Sequence, residues 1–205
     1  MRARLALAVS KTPYELREVQ LARKPAAMLA VSPKGTVPVL ITEEGTIIEE
    51  SLQIMSWALR RIDPEGWLHR HDPELIESND GPFKIAIDRY KYPDRYCSDP
   101  SDYRERGLDY LRTLDARLLV SGHLCGSRRG LADAAIVPFV RQFAAVDRVW
   151  FAEQNLPRLK AWLAAYIGSP LFEDIMVRLA PWWPSSGYAT EGNRPASLPI
   201  SRVQL

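Results

Sequence analysis

The chain has 205 residues, 46% of them hydrophobic and 25% charged, which excludes a disordered or fibrous protein and allows one large domain or two compact ones. Its 27 Lys and Arg residues nearly balance its 25 Asp and Glu residues, so there is no electrostatic basis for binding nucleic acid or an anionic membrane. Because the sequence shows neither a signal peptide nor an apolar run long enough to span a bilayer, we expect a cytoplasmic protein with a small-molecule or protein partner.

The first part of the chain alternates helical and extended patterns. Leu5 and Val9 share one face of a helix, an extended stretch follows, and residues 25–30 predict a short helix with proline in its first turn. Residues 37–50 predict a β-hairpin. Apolar residues then recur at helical spacing, at Leu52, Met55, Leu59 and Ile62. Residues 1–62 are therefore predicted to form a mixed α/β domain.

From about residue 80 the pattern is helical. One apolar stripe ends before Gly122, and a second covers residues 136–143. We predict an all-helical domain over residues 80–180, a linker over residues 63–79, and an irregular tail rich in proline and glycine over residues 181–205.

Two segments of the sequence resemble the cytosolic glutathione transferase family. Ser32 to Leu40, with the sequence SPKGTVPVL, and the following Glu49 to Ile54 resemble the glutathione-binding core. Gly130 to Phe139 resembles a helix of the C-terminal domain that starts with a capping motif around a buried aspartate, here Asp133. The resemblance covers about residues 1–179. It implies a thioredoxin-like α/β domain followed by an all-α domain, a homodimer, and glutathione as co-substrate without a metal.

The Val37–Pro38 pair opens a predicted strand. Proline has no N–H, so the valine backbone groups are left unpaired, and a cis bond turns them outward to meet a peptide ligand. Proline alone favours an ordinary trans bond here. The resemblance instead predicts a cis bond, and it implies that the Val37 backbone pairs with the cysteinyl part of glutathione.

Glu50 and Ser51 stand where a predicted strand meets a helix. The free N–H groups of a helix start attract a carboxylate and a glutamate pairs with an ammonium group, so this pair suits both ends of an amino acid. The simpler alternative is that Ser51 only caps the helix and Glu50 is a solvated charge. The resemblance implies that both residues hold the γ-glutamyl end of glutathione, and that Lys24 meets the glycyl carboxylate in some classes.

The helical pattern begins at Met1, whereas in the resembling proteins a strand and a turn precede this helix. That turn carries the Cys, Ser or Tyr that acts on the glutathione sulfur, and the bacterial, omega-like type has a cysteine there. We therefore expect the catalytic residue ahead of Met1, and an N-terminally truncated domain that lacks its first strand. Either Met1 is an internal methionine taken as the start, or the truncated form is real. Cys97 and Cys125 are not replacements, because a lone cysteine is more often inert than a low-pKa thiolate.

Other candidate features have ordinary structural interpretations. His69 to Asp72 is interpreted as a solvated loop, because no further metal ligands cluster with it. Asp133 is interpreted as a buried structural anchor, and Gly130 replaces the usual Ser or Thr of the capping motif. Aromatic residues favour core packing, although an apolar co-substrate pocket is the open alternative for Trp57, Tyr90, Tyr92, Tyr96, Trp182 and Trp183.

The resemblance implies a glutathione S-transferase or a glutathione-dependent thiol oxidoreductase whose second substrate is an unknown electrophile or disulfide. We expect the chain as given to be impaired by loss of the active-site strand. The alternative is a non-catalytic member of the family that uses the same fold for protein contacts.

Overall fold

The computed structural model describes residues 1–183 and the backbone of residues 203–204. The remainder of the predicted tail lies outside the described residues. The strands are β1 (Tyr14–Glu15), β2 (Leu40–Ile41), β3 (Ile47–Ile48) and β4 (Val203–Gln204). The helices are α1 (Arg2–Val9), α2 (Ala26–Val31), α3 (Ser51–Arg61), α4 (Pro73–Ser78), α5 (Lys84–Lys91), α6 (Pro93–Tyr96), α7 (Pro100–Ser121), α8 (Leu131–Ala144), α9 (Arg148–Glu153), α10 (Pro157–Ile167) and α11 (Pro170–Ile175). A 3-10 turn (Trp67–His69) and a π-helical turn (Asn79–Phe83) connect α3 to α4 and α4 to α5.

The sheet is small and its strand order is β1-β4-β2-β3. β2 and β3 form the predicted hairpin, with Leu40 opposite Ile48, although each strand is shorter than the sequence pattern suggests. β4 lies between β1 and β2, parallel to the first and antiparallel to the second. A tail that we expected to be irregular therefore contributes a central strand. β4 separates β1 from β2, and its backbone groups pair with those of both strands.

Helix α1 is buried on several sides. The sequence pattern indicated one apolar face through Leu5 and Val9, but Leu7 and Ala6 are fully buried as well. The helix packs against α3 from its own domain and against α8 and α11 from the helical domain. Because α1 touches both parts of the chain, it forms a common core between them.

The predicted linker is held by charged side chains. The carboxylate of Glu65 accepts hydrogen bonds from Arg129 Nε (2.8 Å) and Nη2 (2.7 Å) and from Trp67 Nε1 (2.9 Å). The hydrogen bond from Arg129 is the main cause that holds the pKa of Glu65 below its usual range. Asp72, part of the motif considered as a metal site, caps α4 by accepting from Leu75 N at 3.0 Å. This loop therefore ties the two domains together.

Asp133 is fully buried at the start of α8. Its carboxylate accepts hydrogen bonds from Gly130 N (3.0 Å), Leu124 N (3.1 Å) and Trp162 Nε1 (2.8 Å), so it joins the helix start, the preceding loop and α10. A Cβ at Gly130 would lie 2.5 Å from the backbone oxygen of Arg70. Only glycine fits this approach, which explains why Ser or Thr is absent from the capping motif.

Replacing Asp133 by alanine leaves three donors without an acceptor in a buried site. We expect Asp133→Ala to lower the free energy of unfolding by about 1 to 3 kcal/mol, measured by urea denaturation. Trp162→Phe serves as the matched control. It removes one of the three donors to Asp133, so we expect a smaller decrease in the free energy of unfolding. An unfolding midpoint for Asp133→Ala equal to that of the unmodified chain would contradict the anchoring role.

Candidate functional site

A cavity of about 590 Å³ lies between the α/β part and the helical part of the chain. Its volume is in the range that small-molecule sites occupy. The starts of α1 and α3, the segment after β1, α2 and the approach to β2 line it from one domain, and α8 lines it from the other. Among the described residues, the lining is mostly apolar: Met1, Ala3, Leu16, Val19, Leu21, Ala27, Met28, Val31, Val37, Pro38, Val39, Ile41, Pro138, Phe139 and Trp182.

Three residues singled out from the sequence meet in this cavity, namely Val37, Pro38 and Ser51. The Val37–Pro38 bond is cis, as the resemblance predicted. Ser51 is the first residue of α3, and Glu50 is the N-cap, whose carbonyl oxygen accepts from Ile54 N at 2.9 Å. The side chain of the N-cap residue, Glu50, makes no capping hydrogen bond. The alternative in which Ser51 caps the helix therefore differs from the structure, whereas the exposed Glu50 agrees with the interpretation of that residue as a solvated charge.

Lys24 and Glu50 are not among the described residues that line the cavity. Glu50 is exposed to solvent, directly before Ser51. The Lys24 side chain lies against a turn instead, since a Cβ at Gly35 would be 3.5 Å from Lys24 Nζ. Glu50 directly precedes the lining residue Ser51, whereas Lys24 is three positions from the nearest lining residues, Leu21 and Ala27.

The turn over residues 32–35 sets the position of Val37. Gly35 has a φ of +61° and donates its N–H to Ser32 O at 2.9 Å, a left-handed conformation that favours glycine. Ser32 Oγ donates to Glu49 Oε1 at 2.6 Å, and this bond is the main cause of a lowered pKa at Glu49, assisted by the charge of Lys34. Glu49 thus ties this turn to the end of β3. No local sequence pattern links Ser32 to Glu49, and our sequence analysis missed the contact.

Arg2 forms part of the cavity wall and is almost fully buried. Its Nε donates to Ala135 O at 2.6 Å, and its Nη1 and Nη2 atoms both bind the carboxylate of Asp80, the first at 2.9 Å. The guanidinium also lies over Phe139, with Cζ 4.4 Å from the ring centroid. Arg4 and Arg17 line the cavity as well, against a single carboxylate in the described lining, that of Glu18. Because Asp80 pairs with Arg2 and Glu15 pairs with Arg17, the charges at the cavity are largely balanced and do not by themselves favour an anionic ligand.

The aromatic residues considered from the sequence take different positions. Tyr90 is buried in the helical core, where its ring centroid is 5.3 Å from that of Phe143, while Tyr92 and Tyr96 are exposed. Of the six candidates only Trp182 lines the cavity, together with Phe139, which the sequence analysis did not single out. The expectation of core packing holds for Tyr90 and in part for Trp57, which packs partly buried against the core. It is wrong for Tyr92, Tyr96 and Trp183, which are exposed, and for Trp182, which lines the cavity.

Neither cysteine lies in the cavity. Cys97 is exposed at the end of α6, and Cys125 is half-buried, where burial raises the pKa of its thiol above the usual value. The described lining residues include neither a cysteine nor a tyrosine. Over residues 1–183, no three His, Cys, Asp or Glu side chains gather into a group that could hold a metal ion. In the same part of the chain, no helix is long and apolar enough to cross a bilayer.

Comparison with protein families places residues 1–165 in one family. Residues 1–66 match the model for the glutathione S-transferase N-terminal domain, and residues 60–165 match the model for the C-terminal domain. The chain is 31% identical over 181 residues to a probable glutathione S-transferase, GSTU1, of Oryza sativa subsp. indica, covering 78% of this chain and 77% of the relative. It is 27% identical to the probable glutathione S-transferase parA of Nicotiana tabacum, covering 79% and 77%.

Solved structures agree on the fold. A glutathione transferase family member from Pseudomonas fluorescens, with two glutathione bound, has a TM-score of 0.71 at 18% identity, covering 85% of this chain and 86% of that one. A sphingomonad glutathione S-transferase complexed with glutathione has a TM-score of 0.70 at 20% identity, covering 85% and 90%. The predicted fold, a thioredoxin-like domain followed by a helical domain, is therefore confirmed.

The contacts of Arg2 lead to a stability prediction. Arg2→Met leaves Asp80 without its guanidinium and removes the hydrogen bond to Ala135 O, so we expect the free energy of unfolding to fall by about 2 to 3 kcal/mol. We expect a smaller loss of stability than for a fully buried ion pair, because the side chain of Asp80 is 33% exposed. Arg4→Met is the matched control, since Arg4 donates only to the exposed carbonyl of Val177, at 3.1 Å. Equal stability of the two variants in urea denaturation would contradict the role given to Arg2.

Proposed function

The chain belongs to the glutathione S-transferase family, and we propose that glutathione is its co-substrate. The protein would then transfer glutathione to an electrophile, or act as a glutathione-dependent thiol oxidoreductase on a disulfide. The observation that carries this proposal is the meeting of Val37, Pro38 and Ser51 in one cavity. Glutathione is a peptide with two carboxylates, and this cavity offers it a backbone edge, helix N–H groups and cationic side chains.

The proposed binding mode assigns different residues to the γ-glutamyl, cysteinyl and glycyl parts of glutathione. The γ-glutamyl carboxylate binds the Ser51 hydroxyl and the open N–H groups at the start of α3, and its ammonium group pairs with Glu50. The backbone of Val37 pairs with the cysteinyl part. Lys24 meets the glycyl carboxylate. The bond between Ser32 and Glu49 supports this arrangement, because it holds the segment that carries Val37 close to the end of β3.

Turnover requires the glutathione thiol to lose its proton. A free thiol with a pKa of about 8.5 is only a few per cent ionised at pH 7. The resemblance assigns the group that assists this step to a turn ahead of Met1, and the described lining contains neither a cysteine nor a tyrosine. We therefore propose that the 205-residue chain by itself binds glutathione weakly and transfers it slowly.

Three finer parts of the proposal rest on the family resemblance. They are membership of the bacterial, omega-like type with a cysteine-containing turn, a homodimeric assembly, and a cytoplasmic location. The omega-like assignment is what favours disulfide substrates over electrophiles, because a cysteine in the turn forms a mixed disulfide with glutathione.

Substitution at the start of α3 tests the binding mode. Ser51→Ala removes the hydroxyl proposed to bind the γ-glutamyl carboxylate, so we expect the dissociation constant for glutathione to rise roughly tenfold. Isothermal titration calorimetry measures the change. Ser56→Ala, on the same helix but outside the described lining, is the control and should bind glutathione as the unmodified chain does. Equal affinity of Ser51→Ala and Ser56→Ala would refute the assignment.

The pH dependence of turnover tests the proposed catalytic deficit. Without a group that lowers the thiol pKa, kcat/KM with a general electrophile rises about tenfold for each pH unit until it levels near pH 8.5. A profile that is already level below pH 7 would show that the chain supplies its own activating group. Binding of glutathione with no turnover at any pH, for either an electrophile or a glutathionylated disulfide, would favour the non-catalytic alternative.

A further inference from the structure

β1 and β2 are separated in the sheet by a strand from a distant part of the chain. β4 runs parallel to β1, with Val203 opposite Tyr14 and Gln204 opposite Glu15. On its other side β4 runs antiparallel to β2, with Gln204 opposite Ile41. Gln204 is therefore paired on both sides, which is the position of a residue in a central strand.

β1 depends on this pairing more than β2 does. β2 also pairs with β3, whereas within the described residues β1 has no strand partner other than β4. A strand edge presents unpaired N–H and C=O groups, which form a template for a further extended segment. The backbone of Tyr14, Glu15 and Ile41 thus offers two such edges to one segment, and we call these three residues the strand site.

The strand site is continuous with two walls of the cavity. Residues 16–19 directly follow β1 and line the cavity, and residues 37–39 directly precede β2 and line it as well. Ile41 belongs both to the strand site and to the cavity lining. A segment that occupies the strand site therefore fixes the distance between these two walls.

The segment in the strand site is held by backbone pairing over two residues. Each backbone hydrogen bond contributes little net stability, because groups that leave such a bond are hydrogen-bonded by water instead. Elements with few stabilising contacts open locally while the rest of a protein stays folded. We therefore expect β4 to leave and re-enter the strand site without unfolding of the helical domain.

We propose that the strand site is a peptide-binding site, and that its ligand is the segment of this chain that contains Val203 and Gln204, docked reversibly as an added strand. In this mode of recognition an extended peptide joins exposed strand edges, and main-chain hydrogen bonds supply the affinity. The docked segment in turn positions residues 16–19 and 37–39 at the cavity. The strand site does not depend on the proposed use of glutathione, whereas its effect on glutathione binding does.

Substitution of Gln204 tests the site. Gln204→Pro empties it, because proline lacks the N–H that a central strand needs, and Gln204→Ala is the matched control that keeps this group. The probe is a fluorescently labelled peptide with the sequence of residues 196–205, and fluorescence anisotropy measures its binding. We expect Gln204→Pro to bind the peptide roughly tenfold or more tightly than the unmodified chain or Gln204→Ala, where the tethered segment competes at a high effective concentration. Equal binding by the three chains would overturn the inference.

Amide hydrogen exchange tests the same site in the unmodified chain, without a substitution that could affect folding. The fragment that contains Val203 and Gln204 should exchange roughly tenfold more slowly than the free peptide, yet faster than the buried helix α1. Exchange at the rate of the free peptide would show an empty strand site. Exchange as slow as that of α1 would contradict reversible docking.

Glutathione separates the two parts of the inference. Coupling between two binding events is reciprocal, so if the docked strand positions the cavity walls, saturating glutathione should slow exchange at Val203 and Gln204 further, by about threefold. Unchanged exchange in a sample that calorimetry shows to be saturated would refute the effect on the cavity. Absence of glutathione binding in calorimetry would instead overturn the proposed function, while protection of Val203 and Gln204 would still support the strand site.

Discussion

The buried guanidinium of Arg2 is the interaction on which the arrangement of the two domains depends. A buried cation is tolerated only when it is paired and its N–H groups are satisfied, and Arg2 meets that condition with partners from beyond the first domain: the carboxylate of Asp80 and the carbonyl of Ala135. It also lies over Phe139 of α8. These contacts fix the start of α1 against α8 and Asp80. The start of α1 and Phe139 of α8 therefore line the same cavity, one from each domain.

The polar part of the cavity is built before a ligand binds. Glu49 accepts from Ser32 and so holds the turn that leads to Val37, while Gly35 takes the left-handed conformation that the turn requires. Ser51 lies at the start of α3 and lines the cavity. A site whose donors and backbone edge are already in place loses less entropy on binding a flexible tripeptide.

The end of the chain contributes more than a tail. The segment 176–183 is bonded to Arg4 and Glu18 at the edge of the cavity, and β4 pairs with both β1 and β2 in the middle of the sheet. Unpaired strand edges in a protein interior are costly, and the pairing of β4 satisfies backbone groups on both of its neighbours. The cavity and the sheet therefore both use residues that follow the helical domain.

The sequence by itself determined the family, the two-domain fold, the hairpin, the buried Asp133 and the cavity residues Val37, Pro38 and Ser51, because these depend on local patterns and on motifs that lie in continuous segments. It did not reveal the bonds from Arg2 to Asp80, from Ser32 to Glu49 and from Asp133 to Trp162. It also left Trp182 between core and pocket, and its alternative of a capping residue fell on Ser51, whereas Glu50 is the N-cap. Only the tertiary structure decided these points. Each depends on which side chains of distant segments meet, and neither spacing nor propensity along the chain records that.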